Sequence, residues 1–596
     1  MQMPNNSRFS VAPERNVQRS TFDRPQSYVT AFNAGDLIPV YWDEVLPGDT
    51  VEMHNGMVVR ESTPIHPVFG NANVETFWFF VPNRLLWDDW EHFITGGLDA
   101  GAWDTPKTYI PPTVHPLVLN ENGVSHNESF RAKSLADYLG CPIRSDSNSN
   151  RMYCNVSALP FRAYAKIWND WFRSSSLQQE VLIPKTGGRY DFQLGTRNSS
   201  SGVFAPAESA TAPASCVYGG SLLKANKYHD YFTSCLPEPQ RGLASAIPAD
   251  GSLRVVTADP ATLPSLASFA PNNKFAAVFG SGAGASSPGL PSSSDRFRWL
   301  FHNGSAVSVI SGGQSAAGST DGSLPLVPLN LIADASDGAS GLTISINDLR
   351  HAVAVQHILE IDARSGSGRY IDMIKGHFGV DSADARLQRA EYLGGSCVPV
   401  NVQQVLQTSS TNDTSPQGNT AAFSLTADTD HPFTHSFTEH GILMCLAVVR
   451  IKRSYQDGLA RKWSRQSRYD YYWPSLANIS EQAVLNKEIF CGDVEDVNNE
   501  AFGYQEAFAD YRYSPSLVTG AMRSSYAQSL DVWHYADEYA ARPYLSADWL
   551  QEDSAEIDRT LAVSSSLADQ FIGDFAFKPT WYRVMPVYSI PGLDRM

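Results

Sequence analysis

Ile442 to Val449 (ILMCLAVV) form the longest aliphatic-rich run in the chain, without a single charged side chain. Eight residues fall far short of the roughly 18–20 that a membrane-spanning helix needs, so the run predicts a buried strand and no membrane insertion. Other strand signals agree with it. Val74-Glu-Thr-Phe-Trp-Phe-Phe-Val81 is dense in aromatic and β-branched residues, as a half-buried strand requires. Val51 to Val59 places Asn55-Gly56 between two β-prone runs, which predicts a hairpin with its turn at that dipeptide.

Helical signals interrupt the strands. Asn83 is expected to cap a short helix carrying Leu86, Trp90 and Phe93, stopped by Gly96-Gly97. A second helix is expected from about Pro160 to Arg173, with Phe161, Tyr164, Trp168, Trp171 and Phe172 on one wide face. A third begins near Asn347, with Leu349, Val353, Gln356 and Leu359 on one stripe. Such stripes are read as core. Residues 1–35 are polar and read as an extended N-terminal arm.

Residues 242–345 differ from their surroundings. Nearly half are Gly, Ala or Ser, and ten of the 104 are charged. With Pro-rich turns between short β-prone runs such as Ala306 to Ile310, they read as a surface insertion. The remaining 36–241 and 346–596 form the expected core. Strands scattered between long excursions that carry helices suggest a mainly β barrel or sandwich with elaborated loops.

The formal charge is −17, from 45 Lys and Arg against 62 Asp and Glu. An acidic chain does not gather nucleic acid by itself, because phosphate binding depends on Lys and Arg. Contact with DNA would need local basic patches or a separate basic partner. Seven scattered cysteines, an odd number without a Cys-x-x-Cys, fit free thiols in a reducing cytosol. The opening MQMPNNSRFSVAPERN has no apolar run and does not resemble a signal peptide.

Catalytic signatures do not emerge. The chain has no Gly-Lys pair for a phosphate loop and no Gly-x-Ser-x-Gly elbow. Gly280-Ser-Gly282-Ala-Gly284 lacks the later glycine of a dinucleotide loop, and His229-Asp230 stands without a nucleophile signal. No enzyme activity and no cofactor are expected. On a regular strand His431, His435 and Glu439 would share a face and could hold zinc. Phe433 and Phe437 share that face too, and structural histidines are the favoured reading.

The segment Arg450 to Trp473 is the best nucleic-acid candidate. Arg450, Lys452, Arg453, Arg461, Lys462, Arg465 and Arg468 are interleaved with Tyr455, Trp463, Tyr469, Tyr471, Tyr472 and Trp473. Cations that track phosphates beside aromatic faces that stack on bases suit sequence-tolerant single-strand binding. Arg- and Tyr-rich composition suits a subunit interface equally well. Both readings stay open.

Several blocks then resemble one family. They include Asp43-Glu-Val-Leu-Pro-Gly-Asp-Thr50, Phe79-Phe-Val-Pro-Asn-Arg-Leu-Leu-Trp87, Leu159-Pro-Phe-Arg-Ala-Tyr164 and His229-Asp-Tyr-Phe-Thr-Ser234. Arg386 to Gly395, Phe437 to Gly441, Tyr469 to Pro474, Phe502 to Glu506 and Pro586 to Leu593 continue the match in order. They resemble the major capsid proteins of gokushovirus-type microviruses, small icosahedral single-stranded DNA phages. Ala390 stands where the resemblance implies a proline, and 242–345 matches nothing that can be aligned.

The resemblance implies a single eight-stranded viral jelly-roll barrel with long inter-strand insertions carrying helices and short strands. It implies pentamers and a T=1 shell of sixty copies around circular single-stranded DNA, assembled in the bacterial host cytoplasm. Implied partners are an internal scaffolding protein, a DNA pilot protein, a small basic DNA-binding protein and a host surface receptor. It also makes 242–345 the candidate threefold protrusion.

Overall fold

The fold is taken from a computed structural model of the chain. It describes residues 18–70, 72–96, 109–115, 132–142, 156–187, 222–243, 245, 346–364, 368–411, 417–418 and 420–588. It also describes the backbone of short strands within 118–126, 189–191 and 254–334. The chain divides into two compact units, Met1–Gly242 with Leu359–Met596, and Leu243–Ile358.

The first unit is mainly β. Its long strands are β1 (Ser20–Asp23), β2 (Gln26–Phe32), β3 (Ile38–Val45), β4 (Thr50–Glu61) and β5 (Ala72–Pro82). They continue with β6 (Glu391–Pro399), β7 (Thr426–Ser436), β8 (Gly441–Ile451) and β9 (Phe571–Arg583). Two antiparallel sheets result. In the first, β9 pairs with β4, β4 pairs with β7, and β1 and β2 lie end to end along the other side of β9. The second runs β6-β5-β8-β3.

Alternation along β8 explains why an unbroken apolar run is needed. Leu443, Cys445, Ala447, Val449 and Ile451 point into an inter-sheet core with Trp78 and Phe80 of β5 and Val51, Met53, Phe575, Phe577 and Trp581 of the first sheet. Ile442, Met444, Leu446 and Val448 point the other way, onto Phe161, Tyr164, Ile167 and Trp168. These four belong to helix α1 (Leu159–Ile167) and to the π-helical turn Trp168–Phe172 that continues it. A strand covered on both faces reads as continuous rather than alternating hydrophobicity. Each large apolar side chain so buried is worth about 1.5–3 kcal/mol. Trp78 closes the sandwich, its ring 5.6 Å from Phe577 and 5.5 Å from Phe433 across the gap.

Polar groups anchor the helix layer. Tyr164 donates its hydroxyl hydrogen to the Leu37 carbonyl (2.8 Å) and accepts from the Leu223 N–H (2.9 Å). Trp171 donates its indole N–H to the Ala390 carbonyl, while the Ala390 N–H donates to Asp170 (both 2.9 Å). A proline at 390 has no N–H to give. The Asp170 contact thus uses the donor that the alanine restores.

Four expectations are corrected. The hairpin at Asn55-Gly56 does not form. β4 runs straight through it, with Val51, Met53, Asn55, Met57 and Val59 all buried. Neighbours on both sides, β7 and β9, pair with it and outweigh the local turn preference. The helix expected from Asn83 is two short turns, Asn83–Leu86 and Trp90–Thr95; Pro82 holds the cap position, and Gly96 ends the second turn at φ 78°. From Ser20 onward the polar arm is paired to β9, while residues 1–17 lie outside the described residues. The third helix, α2 (Ile346–Arg364), forms where expected, but Leu349 and Val353 are exposed rather than core.

The second unit contains a four-stranded antiparallel sheet in the order Ala306–Gly312, Phe297–Asn303, Phe275–Ser281, Leu326–Pro328. A separate antiparallel pair joins Arg254–Thr257 to Leu331–Asp334. Among the described residues no helix is long and apolar enough to cross a membrane.

Gly56 lies mid-strand without positive φ, and an added Cβ would meet Thr429 Cγ2 at an ordinary 3.6 Å. Gly56→Ala is therefore expected to stabilise the chain, by about 0.5–1 kcal/mol. A lowered denaturation midpoint would instead restore the turn.

Candidate nucleic-acid interface

Past the end of β8 the chain leaves the sandwich and builds a satellite core from Tyr231, Phe232, Tyr455, Val484, Ile489 and Phe502. The basic and aromatic residues of 450–473 distribute around it very unequally.

Four arginines are turned inward. Arg450 pairs with Glu75 (Nε to Oε2 2.5 Å) and lies over the Tyr228 ring at 4.3 Å. Arg453 is fully enclosed, bonded to Asp537 and Glu552 and 3.5 Å from Glu556. Lys227 joins this cluster 3.4 Å from Asp537. Two cations thus face three carboxylates. Burial favours the neutral acid at Asp537, but Arg453 and Lys227 outweigh it and draw its pKa below the ordinary value. At Glu552 burial prevails and pushes the carboxyl up to about 7.

Arg461 pairs with Glu488 at 2.8 Å and donates to the Ala483 carbonyl. Burial works against its charge, and Glu488 more than compensates, raising its pKa. Arg465 bonds Asp510 and sits over Tyr511 at 4.3 Å. These four side chains are occupied by this chain's own carboxylates.

The other four face solvent. Lys452 and Lys462 are exposed, as is Trp463 at 74%. Arg468 is exposed over the Tyr469 ring at 4.6 Å, and its carbonyl accepts from Trp473 Nε1 at 2.9 Å. Tyr469, Tyr471, Tyr472 and Trp473 are exposed with them, and Tyr511 and Tyr513 extend the band. The result is a broad aromatic surface with few free cations.

A second basic and aromatic constellation had no signal in the sequence. A cavity of about 540 Å³ opens against Phe77, Phe79, Trp171 and Tyr392, with Arg369 and Arg450 at its wall. Burial, with Arg173 beside it, lowers the Arg369 pKa. The described lining holds no carboxylate, so the cavity suits an anionic, planar group. Its residues come from six separate stretches of chain, which no local motif links.

His431, His435 and Glu439 are not brought together, which agrees with the favoured reading of structural histidines over zinc ligands. β7 carries a bulge between Asp430 and Phe433 that breaks the alternation. Glu439 lies beyond the strand and pairs with Arg84 (2.7 Å), and His435 packs on Phe437 with centroids 4.8 Å apart. His229 lines the cavity with an exposed face; desolvation, with Arg450 nearby, lowers its pKa.

Against known proteins, the pattern of the capsid protein (F protein) family matches residues 10–593. The chain belongs to this family. It is 37% identical to capsid protein VP1 of Chlamydia phage 1, over 99% of this chain and 98% of that one. Identity to capsid protein VP1 of Spiroplasma virus 4 is 39%, covering 99% and 98%. For capsid protein VP1 of Bdellovibrio phage phiMH2K it is 36%, covering 98% of each. The resemblance to gokushovirus-type capsid proteins drawn from the sequence blocks is borne out.

In this capsid-family chain Arg461 and Lys462 are neighbours with opposite roles. Arg461→Ala strands the buried Glu488 carboxylate and is expected to cost about 3 kcal/mol of stability. Lys462→Ala is expected to leave the unfolding midpoint unchanged. Chemical denaturation of the two variants separates them; equal midpoints would remove the distinction.

Proposed function

We propose that this chain is a shell-forming major capsid protein with no enzymatic role. Its core is an eight-stranded viral jelly roll with long inter-strand insertions, and sixty copies close a T=1 shell around circular single-stranded DNA. The observation that carries the reading is the match to a capsid family along almost the entire chain.

The strand order supports the jelly roll. β1 and β2 share one position along β9, so eight positions form two sheets of four. Consecutive strands alternate between the sheets at every step except β5 to β6, the winding of a double Greek key. That one step carries residues 83–390, including the whole second unit. Such a plan keeps a rigid frame and gives its connections to neighbour contacts.

The exposed band around Trp463 supports self-association. Aromatic residues dominate the buried centres of protein interfaces, and so many left in water on one surface favour a neighbouring copy as their cover. Lys452, Lys462, Trp463 and Arg468 remain free to meet the packaged strand. A small basic DNA-binding protein supplies the charge that an acidic shell lacks, and an internal scaffolding protein and a DNA pilot protein complete the particle. Assembly occurs in the bacterial host cytoplasm, and the chain ends in the virion.

Sedimentation and negative-stain imaging of the purified chain, with and without scaffolding protein, test the assembly. Pentamers or closed shells are expected. A chain that stays monomeric under both conditions sinks the reading.

Residues 242–345 are the proposed threefold protrusion that meets a host surface receptor. Their deletion should spare assembly and abolish attachment to host cells. Loss of assembly would make the segment structural instead.

A further inference from the structure

The outer face of the first sheet carries a cluster of ligating side chains outside the basic and aromatic surfaces. Glu52 and His54 are two apart on β4 and therefore share a face. Across the ladder Asp430 pairs with Asn55 and Phe433 with Met53, so His431 and Pro432 together oppose His54. That extra residue is the bulge, and it brings His431 over His54. The two imidazole centroids lie 4.5 Å apart at a 54° tilt.

Glu52 Oε1 lies 3.4 Å from His54 Nε2 and 3.8 Å from His431 Nε2. All three ligating atoms fall within 4.8 Å of one another. Around a tetrahedral ion with bonds of 2.0–2.2 Å, ligand atoms stand roughly 3.3 Å apart. One edge of the triangle already fits, and the others need to close by at most about 1.5 Å. The side chains are between two-fifths and half exposed, so their rotamers have room to do this. Two imidazole nitrogens with one carboxylate form a donor set for borderline divalent transition ions. Calcium and magnesium prefer oxygen alone.

Two neighbours bear on the site. The Thr434 hydroxyl lies 3.3 Å from His431 Nε2, close enough to hydrogen-bond a water on the ion once that nitrogen coordinates. Lys578 on β9 pairs in register with His54, and its exposed ammonium can extend away along its flexible stem.

We infer that Glu52, His54 and His431 form a divalent transition-metal site of the zinc class, with its fourth position open to water. The ion ties β7, the last strand of its sheet, to β4 across the bulge where the ladder is interrupted. This inference stands apart from the assembly proposal, because it concerns one face of a single chain.

Calorimetric titration of the purified full-length chain with Zn²⁺, repeated with Co²⁺ to read the visible absorption of a four-coordinate ion, tests it. One saturable equivalent per chain is expected. His54→Ala and His431→Ala should each weaken binding at least about tenfold, while His435→Ala, on the same strand but outside the trio, leaves it unchanged. Absence of a saturable equivalent in the native chain, or its survival in the His54→Ala/His431→Ala double variant, overturns the assignment.

Discussion

The two sheets and the helix layer of the first unit are arranged around a strand whose apolar residues are all buried. β8 is buried on both faces, so it needs two partners: the first sheet on one side and the α1 layer on the other. Neither cover is optional. Removing the helix layer would expose Met444, Leu446 and Val448, and removing the first sheet would expose Leu443, Val449 and Trp78. The polar contacts of Tyr164, Trp171 and Asp170 then fix how the helix layer lies, because each buried donor must find its acceptor.

That rigid centre makes the long connections tolerable. Loop closure entropy grows only logarithmically with length, so a step as long as β5 to β6 adds little cost once its ends are held by adjacent strands. Glu391 pairs with Phe80 at the start of β6, and the chain re-enters the sheet beside the strand it left. The β8-to-β9 excursion is pinned differently, by Arg453 enclosed among Asp537, Glu552 and Glu556. A buried ion cluster contributes less to stability than packed apolar residues would. It rejects alternative docking, because any other placement strands charges out of water.

Legibility followed locality. β8 was readable as a buried strand because burial writes itself into consecutive residues, and α1 because Phe161, Tyr164 and Trp168 recur at helical spacing; β5, read as half-buried, is buried on both faces. The Asn55-Gly56 signal failed because pairing on both flanks, invisible in the sequence, overrode a two-residue preference. The disfavoured zinc alternative at His431, His435 and Glu439 falls for a related reason. It assumed an unbroken period of two along β7, and the bulge at Asp430 shifted His431 out of step with His435. In the basic segment, density of charge could not separate Arg453 from Lys462. The carboxylates that claim the arginines, Glu75, Asp537, Glu488 and Asp510, lie elsewhere in the chain.

The sorting of those cations changes what the segment can do. With Arg450, Arg453, Arg461 and Arg465 neutralised internally, the proposed phosphate contact from this stretch would fall to Lys452, Lys462 and Arg468. Each phosphate neutralised on a single strand adds about 0.7 to the slope of affinity against salt. Contact through three cations is therefore only modestly salt-dependent. Base stacking on Trp463 and its tyrosine neighbours is sequence-tolerant and insensitive to the chain's −17 charge. Under the proposed shell role, a strand would meet this surface chiefly through its aromatic faces, and bulk charge compensation would fall to a separate basic component.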